Sequence, residues 1–541
     1  MDKKNLLYLK DFEKRISQLN IQSQDIKRLE VTGLGTSLEF PNRPGKQNSL
    51  KLFIYLALKN KKTIDKNSAK EGLKIFGQKL RTDAASQRGK HPAIDLLENI
   101  AKEKSGSVVV NVVKHEKVET LPPDKIEVFK KINKKFTTPL YVYFESELIK
   151  NLKTFLKIPA PFGLIVRYAI KANSNAAILN LFNKMGAHFD ASTLNECLRV
   201  LSARIAGSKI RLTSQEVQSE KNIKYLTENN IIYTACSLRQ LETYGKILPG
   251  SDISIRFNVG IGSGWNPQTS TGGKSSSFGI YQQKEEINSL LEKYELTLKT
   301  VHLHIGSGSD PEKQKDAIKE GLAIVRQYKT VTNLNMGGGF KVGGMSYEND
   351  TNINKMGKEM EEALRKFYKE TGRKIILEVE PGTALVAKAG YILTEVIDKV
   401  NTGLQGEEFL KINAGMTMNA RIPMYGAQHP LVVIPLDNKK REIKEYIVSG
   451  VCCESGDVLT VRPGKPEYID PRRMMEANVG DLLVIGRSGA YCSSMTPANY
   501  NSQLFHPEIL VRKDGSLDEI RTRQLPSDIW KYERIPNDLK E

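Results

Sequence analysis

The sequence predicts an α/β protein: a (β/α)8 barrel followed by an antiparallel β-domain, with a mainly helical, basic extension in front. Three observations carry that prediction. Between about residues 138 and 400, short apolar strands alternate with helical segments, the signature of parallel βαβ units. The chemically distinctive residues of this stretch all fall just after strand ends, where a parallel barrel places its active site. Beyond about residue 400 the alternation stops, and strand-like runs separated by turn signals take its place.

In the extension, residues 1–120, apolar side chains recur at helical spacing: Leu52, Ile54, Tyr55 and Leu58, then Leu73, Ile75, Phe76 and Leu80. Two or three helices are expected there, then a strand over Val108–Val113. Leu121-Pro122-Pro123 and the lysines that follow read as a linker. Residues 1–135 hold 29 Lys and Arg against 16 Asp and Glu, so +13 of the chain's +19 sits in its first quarter. The lysines are interspersed with acids, the pattern of solvated helix faces, which argues against nucleic acid as a partner. Binding of a protein partner or polyanion by the extension is kept as an alternative function of another class.

The barrel, residues 138–400, contains the apolar runs Leu164–Ala169, Ile253–Phe257, Val301–Ile305, Leu334–Met336 and Ile375–Glu380. The β-domain, residues 401–541, contains Leu431–Ile434, Glu445–Val451, Gly456–Val461 and Asp481–Ile485; a strand near 140–144 could serve either half and is grouped with it. The first twenty residues have no apolar core of a leader, and no stretch reaches eighteen apolar residues, so neither a signal peptide nor a membrane span is expected. The five cysteines are odd in number and lack C-x-x-C spacing. That fits reduced thiols in a cytoplasm and no metal site.

Lys171 ends an apolar strand in Arg167-Tyr168-Ala169-Ile170-Lys171-Ala172-Asn173. Desolvation at a barrel mouth is expected to lower the pKa of such a lysine and suit it to Schiff-base chemistry. Two glycine loops follow later strands, His304-Ile305-Gly306-Ser307-Gly308 and Gly337-Gly338-Gly339-Phe340. Their exposed amides, with the Ser307 hydroxyl, suit a phosphate. Glu380, in Glu378-Val379-Glu380-Pro381-Gly382, could hold a pyridine nitrogen protonated. In the β-domain, Cys452-Cys453-Glu454-Ser455-Gly456-Asp457 and Gly489-Ala490-Tyr491 complete the set.

Taken in order, these segments resemble the fold-type III pyridoxal-phosphate-dependent decarboxylases, in which an alanine-racemase-type barrel joins a β-domain. The likeness runs from about Thr138 to the C-terminus. It implies pyridoxal 5'-phosphate as cofactor, with Lys171 forming the Schiff base, Asp190 of Phe189-Asp190-Ala191-Ser192 at the cofactor's edge and His304 stacked on the ring. It further implies Ser307, Gly337, Gly338, Gly339 and Tyr491 at the phosphate, Glu380 at the ring nitrogen and Arg256 nearby. Cys453 and Glu454 would act in trans across a homodimer with shared active sites.

Within the group the diaminopimelate branch is the most similar. Its likeness rests on Cys453-Glu454-Ser455-Gly456-Asp457, on Thr269 to Gly273 followed by Ser277-Phe278-Gly279, and on Arg421-x-Pro-x-Tyr425-Gly426. The reaction implied is decarboxylation of meso-diaminopimelate to L-lysine and CO2, with Arg421, Tyr425, Glu454, Ser277 and Tyr491 binding substrate. The chain departs from the branch at two places. Thr383 replaces the arginine of Glu-Pro-Gly-Arg, which helps to clamp the distal carboxylate, and Asn413 replaces the aspartate of Asp-Ala-Gly-Met. Loss of one guanidinium removes a contact of about 1.5–3 kcal/mol. The alternative is therefore a related decarboxylase acting on a D-amino acid, ornithine, lysine or a carrier-bound amino acid; the Cys-Glu loop argues against a racemase.

Overall fold

An apolar strand followed by an amphipathic helix returns to the same sheet by a right-handed crossover, so its neighbour runs parallel. In the computed structural model, which describes residues 12–19, 21, 25–42, 46–103, 106–265, 267–403, 406–497 and 499–540, eight such strands close a barrel. The chain divides into two compact units, one running to Lys117 and taking in the short segment Thr402–Gly406, the other made of Val118–Asn401 and Glu407–Glu541.

In the first unit, strands β1 (Ile26–Gly33), β2 (Thr36–Pro41), β3 (Thr63–Asp65) and β4 (Ser107–Lys114) form an antiparallel sheet in the order β2-β1-β4-β3. Helices Gln47–Lys59, Lys66–Phe76, Gln78–Ser86 and Pro92–Lys102 supply Phe53, Leu56, Leu73 and Leu97 to a core shared with Leu29, Val31, Val108 and Val110 of the sheet. Val109, on the outward-facing side of β4, is 42% exposed. The expected helices and the strand at 108–113 are present, and β1 and β2, which the helical periodicity did not reveal, turn the extension into a helix-on-sheet layer.

The barrel strands are β6 (Leu164–Ala169), β7 (His188–Ala191), β8 (Ile210–Thr213), β9 (Ile232–Ala235), β10 (Asp252–Arg256), β11 (Thr297–His302), β12 (Asn333–Asn335) and β13 (Ile376–Val379), all parallel. Side chains alternate across a strand with period two. The apolar set, including Val166, Tyr168, Phe189, Leu212, Val301 and Val379, packs into the main hydrophobic core. The other set is polar and meets inside the barrel. Glu378 accepts from Arg167 Nε at 2.6 Å, from Arg211 Nη2 at 3.0 Å and from Asn333 Nδ2 at 2.6 Å. Arg211 Nη1 also donates to Ser254 Oγ at 2.8 Å and Thr234 Oγ1 at 3.2 Å.

The β-domain takes β5 (Leu140–Phe144) between β14 (Gly390–Asn401) and β22 (Glu508–Val511). Its sheet runs β20-β17-β15-β14-β5-β22-β23, where β15 is Glu408–Ile412, β17 Ile443–Ser449, β20 Arg472–Met475 and β23 Leu517–Arg521; β16 (Leu431–Ile434) pairs with β21 (Leu482–Ile485), which pairs with β14. Most pairs are antiparallel, as the turn-rich sequence suggests, but β5 with β22 and β15 with β17 are parallel.

Burial would raise the Glu378 pKa, but Arg211 and Arg167 hold it at about 2, below the ordinary 4.5. Its contribution to stability is therefore complete above about pH 4.5 and is lost as pH falls through about 2. Glu378→Gln leaves two buried guanidiniums short of their counter-charge and should cost about 3–5 kcal/mol. Thermal unfolding at pH 7 followed by circular dichroism should show a lowered midpoint, with part of the acid sensitivity between pH 4.5 and 2 removed; an unchanged midpoint would show that the cluster contributes nothing.

Candidate active site

Continuing the inward alternation past the strand ends brings the reactive side chains to one mouth of the barrel. Lys171 follows β6 in a short 3-10 turn, Ile170–Ala172. That turn is tied to the β-domain: Ser494 Oγ donates to the carbonyls of Lys171 at 2.9 Å and Ala172 at 3.0 Å, and the Tyr491 N–H donates to Ala172 O at 2.8 Å. Below it, the Tyr168 hydroxyl donates to Asn173 O at 2.8 Å. The lysine side chain thus extends into a cavity of about 330 Å³ lined by Asp190, Arg256, His304, Ser307, Gly338, Gly339, Glu380, Thr383 and Tyr491.

Two carboxylates of this cavity, Asp190 and Glu380, are built differently. Asp190 is buried, its Oδ1 accepting from Thr213 Oγ1 at 2.9 Å, and burial with the nearby Glu380 charge pushes its pKa up. Burial acts on Glu380 in the same sense but is outweighed by His302, Asn335 and Arg211, so Glu380 stays ionised. Asn335 Nδ2 donates to Glu380 Oε1 at 2.6 Å, and His302 Nε2 lies 3.1 Å from Oε2. Burial lowers the His302 pKa more than Glu380 raises it, which makes the contact a neutral imidazole N–H donating to a carboxylate. Asn335 also accepts the Gly337 N–H on Oδ1 at 2.8 Å, joining the glycine loop to the acid.

Desolvation alone would lower the Lys171 pKa, as anticipated from its place at a strand end. The structure reverses that expectation: Tyr491 and the carboxylates of Asp190 and Glu380 outweigh burial, and the pKa is raised. His304 is pushed well below the ordinary imidazole value, first by burial and then by Arg256 and Lys171. Its Nδ1 accepts the Gly338 N–H at 3.2 Å, which leaves the proton on Nε2. The glycine loop admits no side chain: a Cβ on Gly338 would collide with Glu380 O, and one on Gly339, whose φ is +91°, with Gly306 O.

A second cavity, about 570 Å³, shares Ser307, Gly308, Phe340, Thr383 and Tyr491 with the first and adds Trp265, Arg421, Tyr425 and Arg487. Of the expected residues, Lys171, Asp190, Arg256, His304, Ser307, Gly338, Gly339, Glu380 and Tyr491 meet in the first cavity, and Arg421 and Tyr425 in the second. Gly337 shapes the turn without lining it. Ser277 is exposed and outside both; its neighbour Phe278 lines the first and faces Arg256, whose guanidinium lies 5.0 Å from the ring centre. Cys453 and Glu454 are exposed and line neither cavity within the chain. Their loop is held by buried Asp457, which accepts the N–H groups of Met416 at 2.6 Å and Cys452 at 2.8 Å. Asn413 lies outside both cavities too, accepting Glu395 N–H at 2.9 Å and donating to Thr138 Oγ1 at 2.9 Å, the latter a bond that an ionised aspartate cannot make.

Sequence reasoning passed over His302, Asn335 and Arg487. The first two carried a signal, a polar side chain two residues before a functional one on the same strand. Arg487 carried none, because its place depends on a turn between β-domain strands.

Residues 146–387 match the family described as pyridoxal-dependent decarboxylase, pyridoxal binding domain. Residues 12–111 match one described as an uncharacterized protein conserved in bacteria. The chain is 31% identical over 410 residues to the diaminopimelate decarboxylase of Buchnera aphidicola subsp. Acyrthosiphon pisum, covering 75% of this chain and 96% of that one. It is 31% identical over 412 residues to the diaminopimelate decarboxylase of Escherichia coli K12, covering 74% and 94%. A crystal structure of Helicobacter pylori diaminopimelate decarboxylase complexed with L-lysine is similar with a TM-score of 0.66 at 26% identity, covering 75% of this chain and 98% of that one.

The hydrogen bond from Gly338 to His304 sets a measurable expectation. Nitrogen NMR on histidine-labelled protein should show His304 neutral, as the Nε2–H form, at pH 6, where an ordinary imidazole is largely protonated. An imidazolium signal assigned to His304 at that pH would contradict the geometry.

Proposed function

The chain belongs to the diaminopimelate decarboxylase family of pyridoxal-phosphate-dependent enzymes, and on that premise we propose that it releases CO2 from meso-diaminopimelate to give L-lysine. The observation that carries the reading is Lys171, whose ammonium extends into a cavity beside Asp190, His304 and Glu380 and forms no hydrogen bond among the described residues.

The donor set fits the cofactor. Lys171 would hold it covalently, the amides of the two glycine loops with Ser307 and Tyr491 would take its phosphate, and Glu380 would face its ring nitrogen. His304 would lie against its ring, with Asp190 and Arg256 at its edge. When bound, pyridoxal phosphate supplies the electron sink for the pair left on the substrate Cα as CO2 departs. Glu380 serves that chemistry by remaining a carboxylate: Asn335 and His302 hold it ionised, so it keeps a proton on the nitrogen it faces. Neutral His304 offers a ring face without adding a positive charge beside Lys171. Arg421 and Tyr425, in the adjoining cavity, would receive the far carboxylate of the substrate.

Cys453 and Glu454 are assigned to the site of a second copy in a homodimer. Their exposure on a loop that Asp457 fixes rigidly, away from both cavities of their own chain, supports this. The Cys453 thiol would then return the proton to Cα. A cytoplasmic location accords with five free cysteines, and among the described residues no helix is long and apolar enough to cross a membrane.

Purified protein should carry the yellow absorbance of a lysine-bound cofactor and form lysine and CO2 from meso-diaminopimelate; Lys171→Ala should lose both. A band that survives Lys171→Ala would remove this lysine from its role. Equal amounts of inactive Lys171→Ala and Cys453→Ala subunits, once exchanged, should regain about a quarter of the sites by random pairing in a two-fold dimer. No recovery after verified exchange would place the whole site within one chain.

A further inference from the structure

The cavity beyond Lys171 holds more positive charge than its protein neighbours neutralise. Arg421 is 6% exposed, and its Nη1 is buried with no hydrogen-bond partner. Its guanidinium sits 5.8 Å from the centre of the Tyr491 ring, and no ion pair to it is found among the described residues. Arg487 enters the same cavity from the turn after β21. Its Nη2 donates to Val342 O at 2.6 Å, while its Nε is buried without a partner. The carboxylate nearest in effect, Glu348, has its Oε2 occupied by the Gly344 N–H and forms no ion pair with Arg487 among the described residues. Burial, and then the charge of Arg421, lower the Arg487 pKa to about 10.

The backbone adds an independent observation. Arg487 has φ +56°, in the left-handed region where a residue with a Cβ is strained. An arginine kept in that conformation, lining a cavity beside a second guanidinium with no ion pair to either among the described residues, marks a place for an anion. Thr383 lines the same cavity and brings a hydroxyl where the branch carries a guanidinium.

We propose that Arg487 is the second guanidinium of the distal-carboxylate site: it supplies from the β-domain the contact that Thr383 cannot make from the barrel. The substrate is then a dicarboxylic amino acid, its reacting end at Lys171 and its far carboxylate between Arg421 and Arg487. The assignment rests on the decarboxylase reading above and narrows it to a substrate class.

The test uses the holoenzyme with Arg487→Gln, Thr383→Arg and the double variant, comparing kcat/KM for meso-diaminopimelate with that for D-lysine, the lysine enantiomer that keeps the reacting end but lacks the far carboxylate. Arg487→Gln should lower kcat/KM for diaminopimelate about 10- to 100-fold, chiefly through KM, with little change for D-lysine. Thr383→Arg alone adds a third cation to two that already repel and should not improve the enzyme. In the Arg487→Gln background it should restore most of the loss. A merely structural role of Arg487, through its bond to Val342, would lower both substrates together and would not be rescued from position 383; either result overturns the proposal, as does an Arg487→Gln enzyme within two-fold of the original. A parent enzyme that turns over D-lysine but not diaminopimelate also overturns it while leaving the decarboxylase chemistry standing. Failure of the parent on every amino acid tried would instead count against the function proposed above and remove the basis of this assignment.

Discussion

The carboxylate of Glu378, enclosed in the barrel between Arg167 and Arg211, is the interaction on which the remaining architecture depends. A barrel interior is ordinarily filled by branched apolar side chains. Here the inward positions of β6, β8, β12 and β13 carry two guanidiniums, an amide and an acid, the first three all donating to the acid. Such a cluster is costly to break, because losing one partner strands a buried charge. It therefore fixes the register of strands distant in sequence, because a slip by one residue would place a charge among the helices.

That register sets the layer above. Glu380 stands two residues past Glu378, Asn335 two past Asn333 and Thr213 two past Arg211, so the functional acids are aimed by the same alternation that builds the cluster. Electrostatics connects the layers as well. Arg211 is among the groups that keep Glu380 ionised, while at Asp190 burial and the Glu380 charge outweigh Lys171 and the Thr213 hydroxyl and push the pKa up. Two carboxylates lining the cavity that Lys171 enters thus have their pKa values moved in opposite directions, a separation suited to acid–base work.

The β-domain closes the site from the other side. Ser494 and Tyr491 hold the carbonyls of Lys171 and Ala172 in the lysine turn, and Tyr491 lines both cavities. The described residues that line the two cavities all belong to the second unit, which agrees with a family likeness that covers three-quarters of the chain and with a separate match for residues 12–111.

The sequence by itself determined the barrel, the β-domain and the position of Lys171, because these depend on local periodicity and on residues adjacent in the chain. The glycine loops were legible for the same reason: a close backbone approach excludes side chains wherever it occurs. Tertiary structure decided what depends on distance in space. The raised pKa of Lys171 follows from acids on other strands, which no reading of β6 alone reveals. The sheet of the first unit pairs β1 with β4 across four intervening helices, so the short-range helical pattern concealed it. Arg487 appears in the sequence as one more basic residue in a turn, and it acquires meaning only where folding places it beside Arg421 in a cavity where no carboxylate of the described residues pairs with either.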